Sequence, residues 1–263
     1  MVKTPFSESK EARFAIRHGD WNQPTAGLAN GYIQANLVVL PVAYAFDFLR
    51  FCFRNPKPCP LLDVTDPGNP RPDAVWGDDI DLRTDIPYYR IYEHGRLVDE
   101  LPDIKGLWKK DLVSFLLGCS FTFEESLLSE NIPVRHLECG CNVPMYHTNI
   151  QCQPSGIFKG PMVVSMRPIP DRLVTKAVLI TSRYPSVHGA PVHIGNPDGL
   201  GIAEINKPDY GDPVPIYANE VPVFWACGVT PQAVAVASNI PWMITHSPGH
   251  MLITDRLNSS LAV

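Results

Sequence analysis

A chain of 263 residues with 45% hydrophobic and 19% charged residues has the material for one large domain or two small ones and reads as a soluble globular protein. Its formal charge of −5 gives no electrostatic reason for a nucleic-acid partner, so small molecules come first. The longest apolar run, near Leu37 to Tyr44, is interrupted by Pro41 and is too short to cross a bilayer, and the first fourteen residues lack a signal-peptide apolar core. The expectation is a cytoplasmic protein without a membrane partner, its oligomeric state left open. Seven cysteines are an odd number for a disulfide framework, so thiols are expected, and the 27 prolines are scattered as punctuation of many short elements.

In chain order, residues 7–17 predict an amphipathic helix stopped by Gly19, with Arg13 and Arg17 on one face. Residues 21–32 are too polar for pure packing and predict a loop. Residues 41–53 predict a helix buried round most of its circumference and ended at Asn55-Pro56. The three prolines of 55–60 stiffen the connector that follows. Two short strands are expected around His94-Gly95 within 88–100, then a helix over 107–117 stopped by Gly118. Thr122 and Glu125 have the spacing of a capping box for a helix to about Glu130. That places Cys119 in a tight corner, as a structural thiol first and a nucleophile second.

From Ile132 the texture changes toward strands over 132–138, 161–168 and 177–185, with a helix over 171–176 between the last two. This divides the chain into a larger discontinuous unit, 1–130 with 186–263, and a smaller sheet-plus-helix unit, 131–185. Arginines or histidine fall at or near the strand ends: Arg135, His136, Arg167 and Arg183. Residues 186–202 are loop-like and carry His188 and His193, and their glycines lack the dinucleotide-binding spacing.

The stretch from Glu220 to Ala237 then runs from an apolar strand into a helix, with Cys227-Gly228-Val229-Thr230-Pro231 between them. Thr230 is the expected helix cap and Pro231 the expected first helical residue, which would leave backbone N–H groups open to an anion. Another strand, 241–245, ends in His246-Ser-Pro-Gly-His250, whose proline and glycine break the helix that a two-histidine zinc motif needs. Cys139, Cys141, Cys152 and His147 match no zinc-knuckle spacing.

The segments 135–138, 186–195, 226–232 and 245–250 each put polar chemistry just beyond an apolar strand, where open α/β sheets bind ligands. The runs LLGCSFTFEE, NVPMYHTN, VVSMRP, ITSRYPSVHGAPVHIG, PDYGDPV, VPVFWACGVTPQ and ITHSPGHMLITD resemble a family of hydro-lyases that includes D-glutamate cyclases, and the likeness covers about Ala12 to Asp255. The resemblance implies a two-part α/β fold, a larger three-layer α/β/α unit with a smaller two-layer α+β unit. It also implies loss of water from a small amino dicarboxylate, first of all cyclisation of D-glutamate to 5-oxo-D-proline.

That chemistry needs a base for the amine, an acid for the departing oxygen, an anchor for the α-carboxylate and donors for the tetrahedral intermediate. His188, His193, His246 and His250 are the expected proton-transfer groups. Arg135, Arg167, Arg183, Cys227, Gly228 and Thr230 are the expected substrate-binding set, with Cys227 itself as packing and the turn after it as the polarising element. No cofactor is required by this route. Two alternatives stay open: a divalent metal held by the four histidines in a hydratase or hydrolase, and a carboxylate-binding protein without turnover.

Overall fold

A computed structural model describes residues 6–263, so the first five residues of the leader reading lie outside the described residues. The chain builds two sheets, both antiparallel throughout. The seven-stranded sheet is centred on β1 (Tyr32–Pro41), flanked by β5 (Leu112–Gly118) and β10 (Trp242–His246). It continues outward to β2 (Leu61–Val64) on one side and to β3 (Tyr89–Glu93) and β4 (Arg96–Leu101) on the other, while β11 (Leu252–Leu257) pairs with β1.

Alternation along β1 shows why this strand is central. Val38 and Leu40 join one core, with Phe48 and Phe51 of α2 (Val42–Arg54) and Val234 and Ala235 of α6 (Val229–Ala237). Ile33, Ala35, Leu37 and Val39 join another, with Trp76, Ile80, Leu82 and Ile86 from the long loop after β2. A strand covered on both faces reads as a continuous apolar run.

The four-stranded sheet runs β6 (Met145–Gln151), β7 (Pro161–Pro170), β9 (Glu220–Ala226) and β8 (His193–Ile194). One face packs on α3 (Phe121–Ser129) and α5 (Val174–Ser182) through Phe123, Leu127, Ala177 and Trp225. The other packs on Leu200, Ile202 and Val214 of the long connection between β8 and β9. β9, which the sequence division leaves in the larger unit together with β8, pairs with β7 here, and β8 pairs with β9.

Several expectations hold. α1 (Ser9–Arg17) turns Ala12, Ala15 and Ile16 inward and ends before Gly19, whose φ of +77° suits the stop. The β3–β4 turn holds His94 and Gly95 at φ +47° and +72°, the left-handed pair that a two-residue hairpin needs. All seven cysteines are free thiols.

Others are corrected. Residues 107–117 contain strand β5 rather than a helix, because the apolar run Leu112–Gly118 lies between β1 and β2 with both faces covered. The segment expected as a strand at 132–138 holds the short helix α4 (Arg135–Cys139), and most of 177–185 belongs to helix α5. Short apolar runs satisfy either geometry, and packing against α3 and β7 selects the helix for α5. α2 is a helix, but Val42, Phe46, Leu49 and Phe53 are 48, 70, 36 and 82% exposed, so only one side of it is buried. Because the sheets are antiparallel, the rule that puts ligands beyond the carboxyl ends of parallel strands does not locate the site. Among the described residues no helix is long and apolar enough to cross a membrane.

Candidate active site

Two strand-to-helix turns of the same construction meet where the sheets join. β5 ends at Gly118 and passes through Cys119 and Ser120 into α3; β9 ends at Ala226 and passes through Cys227 and Gly228 into α6. Their sequences correspond residue by residue, GCSFTFE over 118–124 and ACGVTPQ over 226–232. In each, the threonine three residues after the cysteine donates its backbone N–H to the cysteine carbonyl, at 3.2 Å for Thr122 and 2.9 Å for Thr230. Both helices are nine residues long, with Ser120 and Gly228 at the equivalent cap position.

The helices bridge the sheets in opposite senses. α3 follows a strand of the seven-stranded sheet but packs on Trp225 of the other; α6 follows a strand of the four-stranded sheet but packs on Phe115 and Val38. Asn36 of β1 sits at the joint, its amide donating to the Gly118 carbonyl at 2.8 Å. A Cβ on Gly228 would lie 2.2 Å from that amide nitrogen, so the close approach of the turns requires glycine there.

A fully buried ionic group adjoins the turns. Arg167 of β7 has no solvent exposure and donates to the Glu124 carboxylate through Nε and Nη2, to Ser120 Oγ at 3.0 Å and to Ser165 Oγ at 3.0 Å. Its guanidinium lies over the rings of Phe123 and Trp225, with centroid distances of 5.3 and 5.5 Å. Burial alone would raise the Glu124 carboxyl, but His136 and Arg167 beside it prevail and hold it down at about 2. His136 Nε2 lies 3.4 Å from the same carboxylate, an ion-pair distance, without the alignment of a hydrogen bond.

Both thiols are buried, each two residues before the first residue of its helix. Burial pushes Cys119 up to about 12 and Cys227 up to about 11, and Arg167 counteracts this at both.

The expected residues divide into those the fold gathers and those it scatters. His188 is gathered: buried, at φ +84°, it has Nδ1 2.9 Å from the Lys57 carbonyl and Nε2 without a partner. Burial, aided by Arg167 and Lys57, lowers it to about 4. Arg167, Cys227 and Gly228 are gathered too. Thr230 is present but does not cap: its Oγ accepts from Val163 N–H at 3.0 Å and donates to the Val163 carbonyl at 3.1 Å, riveting α6 to β7. Pro231 is the third helical residue rather than the first. The expected capping box is likewise absent, since Thr122 Oγ has no partner and Glu125 accepts from Asn258 instead.

The other three histidines lie elsewhere. His193 on β8 has Nε2 2.7 Å from the Asn196 carbonyl. His246 ends β10, with Nδ1 3.1 Å from the Leu37 amide nitrogen, and burial lowers it to about 4. His250 has Nδ1 3.0 Å from the Pro248 carbonyl and is lowered by burial. The four therefore form no ligand group, which removes the geometric basis of the histidine-metal alternative. Among the described residues the one group of three or more with metal-ligand proximity is Asp78, Asp79 and Asp255, and Arg13 and Lys10 already neutralise it. Cys152 is buried in the α2 core, whereas Cys139 is exposed and Cys141 half-buried against another core.

All three expected arginines are engaged, Arg167 by Glu124, Ser120 and Ser165, and the other two away from the turns. Arg135, on α4 rather than at a strand end, pairs with Glu220 and Glu138 and covers Tyr217. Arg183 is exposed and bonds the Val263 carbonyl at 3.3 Å. Sequence reasoning missed Asn36, Ser120, Glu124 and Ser165; the repeated small-Cys-small-apolar-Thr pattern was the available signal.

Beside the second turn opens a cleft of about 340 Å³, bordered by Arg90, His147, Tyr210, Val229 and Gln232. His147 Nε2 and the Tyr210 hydroxyl are 3.2 Å apart. Gln232 donates to Thr245 Oγ at 2.7 Å and leaves its buried Oε1 unengaged. Tyr210 and Val229 pack with Cys227, so this cleft reaches the wall of the turn.

At the joint of the two sheets this mixed α/β protein brings together a buried arginine, two cysteine-bearing turns and two helix openings, which favour an anion. Residues 113–255 match the D-glutamate cyclase family. A protein of Thermoanaerobacter sp. (strain X514) named "Putative hydro-lyase" is 65% identical over 252 residues, 96% of this chain and 95% of its own. Proteins of the same description from Geobacillus kaustophilus (62% identity; 97% of each chain) and Bordetella pertussis (60%; 96% of this chain, 91% of its own) are similar throughout. The chain belongs to the D-glutamate cyclase family, among proteins named as carbon–oxygen hydro-lyases.

Proposed function

We propose that the protein is a lyase that eliminates water from a small amino dicarboxylate, with D-glutamate cyclising to 5-oxo-D-proline as its reaction. Family membership supports the class. The observation that supports the site is Arg167, fully buried and bonded to Glu124 and to Ser120 at the opening of α3, where helix N–H groups favour an anion.

In this reading the substrate enters from the cleft of about 340 Å³ and places its α-carboxylate toward Arg167. The amine must be neutral to attack the side-chain carboxyl. His188, kept uncharged by burial and with Nε2 unengaged, accepts the proton. Attack forms a carbon–nitrogen bond and a tetrahedral centre, whose negative oxygen faces the backbone N–H groups that open α3 and α6. The nitrogen passes its second proton to the departing oxygen, His188 returns the first, and the carbon–oxygen bond breaks as that oxygen leaves as water, the nitrogen keeping one N–H in the lactam.

Incubation of the purified protein with D-glutamate, followed by mass spectrometry, tests this: the expected result is a product lighter by one water. Unchanged D-glutamate, L-glutamate and related dicarboxylates would overturn it. Calorimetry showing tight dicarboxylate binding without product would favour a binding protein. Arg167→Lys keeps the charge but loses the planar fork and is expected to lower kcat/KM in the active enzyme.

A further inference from the structure

α2 carries a feature that the candidate site does not use. Phe48, Phe51 and Cys52 anchor the helix to the core, where Phe115 and Phe158 pack against Phe48 at centroid distances of 4.8 and 5.1 Å. Its other side carries Val42, Phe46, Leu49 and Phe53, all exposed, the two phenylalanines at 70 and 82%. At about 100° per residue these four fall within an arc of about 60°, so they form one row on a firmly held helix.

The spacing of the row, 4, 3 and 4 residues, is that of a coiled-coil seam, and it reads the same in both directions. A two-fold axis level with the peptide between Asp47 and Phe48 therefore sets Val42 against Phe53 of a second copy, and Phe46 against its Leu49. Ala43, exposed, and Ala45, half-buried, flank the row and are small enough to let a second helix approach. Arg50, the charge nearest the row, is neutralised within its own copy by Asp47 at 2.7 Å. Arg54 is bonded to the Pro154 carbonyl at 2.6 Å, and the two-fold sets the two Arg54 residues about 20 Å apart along the helices. Identical rows thus meet without facing like charges.

We propose that α2 is the contact of a two-fold symmetric homodimer, in which two copies pair antiparallel through Val42, Phe46, Leu49 and Phe53. At about 200 Å² per phenylalanine the two exposed rings alone present about 300 Å², and the row with its alanines about 450 Å². A pair of rows buries about 900 Å², at the lower edge of specific interfaces, so the dimer is weak and concentration-dependent. Each row is satisfied by one partner, which closes the assembly at two copies. A lipid-seeking helix carries lysines and arginines along its polar face. α2 has only Arg50 and Arg54, both bonded within the chain, so a second copy fits this surface better than a bilayer does.

The experiment is sedimentation velocity of the full chain from about 1 to about 500 µM. The expected result is a monomer–dimer equilibrium that shifts toward dimer with concentration and stops there. Phe46→Lys and Phe53→Lys each remove two contacts from the symmetric pair and should weaken dimerisation by about 100-fold or more. Both side chains are exposed in the single chain, so melting curves at the lowest concentration should be unchanged. Leu179→Lys on α5 alters another apolar surface position, 63% exposed, and should leave the dimer intact. A monomer throughout the range, a dimer that neither phenylalanine variant weakens, or association that continues beyond two copies would each overturn the proposal. Cosedimentation of the monomer with vesicles of anionic lipid, lost in the same two variants, would overturn it in favour of a lipid surface.

Discussion

The turn at Cys119 and the turn at Cys227 share a backbone plan but differ in electrostatics. Five residues after the cysteine the first has Glu124, which is ionised and locked to Arg167, whereas the second has Gln232, which is neutral and bonded to Thr245. The first turn therefore holds the buried charge, and the second borders the cleft proposed as the substrate's way in. One half is rigid because its charges have no water to fall back on. The other keeps a free amide oxygen because nothing ionic claims it.

The largest way to break this comparison is to remove the cation. Arg167→Met leaves the Glu124 carboxylate buried and unpaired, and should cost about 3–5 kcal/mol in urea denaturation. Adding Glu124→Gln should recover a large part of that. Gln232→Glu is the converse test: a new carboxylate cannot donate to Thr245 Oγ as the amide does and should lower stability, by less than the Arg167 variant because Arg90 borders the same cleft.

The pH dependence separates the two halves next. His188 and His246 stand at about 4 in the folded chain against an ordinary 6.5, so the unfolded chain takes up protons that the folded one refuses. Stability is complete above 6.5 and falls as pH drops through the interval to about 4, by on the order of 3 kcal/mol for each histidine. Glu124, held at about 2 against 4.5, adds a further loss below 4.5. Denaturation midpoints measured from pH 8 to pH 3 should show the first fall already between 6.5 and 4, and His246→Asn should flatten it.

Close packing gives a smaller effect. Gly118→Ala drives a Cβ to 2.5 Å from the backbone carbonyl of Ser186, whereas Gly228→Ala meets the side chain of Asn36 at 2.2 Å. Each should cost about 1–3 kcal/mol. Pairing with Asn36→Ala should rescue the Gly228 variant alone, because a side chain can be removed and a carbonyl cannot.

The smallest effect separates the two threonines. Thr230→Val loses both bonds to Val163 and should cost about 1–2 kcal/mol. Thr122→Val loses no side-chain bond and should stay within about 0.5 kcal/mol. Equal melting of the two variants would show that the threonine correspondence is one of sequence without different structural duties.

Much of the fold was legible where local chemistry suffices: the Gly19 stop, the His94-Gly95 hairpin, strands β7, β9 and β10, and the strand-to-helix passage at Cys227. The failures share a cause. Leu112–Gly118 and Val174–Ser182 are short apolar runs whose periodicity fits strand or helix, and only their neighbours choose. The site was half legible. Arg167, His188, Cys227 and Gly228 were identified from strand ends and turns, but Arg135 and Arg183 look the same in sequence and found other partners in Glu220 and Val263.

By itself, then, the sequence determined where chains turn, which residues can carry charge or protons, and, through long shared motifs, the family. Only the tertiary structure decided which arginines are desolvated, which buried histidines keep an unbonded nitrogen, and that the turns after β5 and β9 meet at Asn36. Those outcomes depend on long-range antiparallel pairing, which brings residues 36, 118, 167 and 228 together across separations that no local pattern encodes.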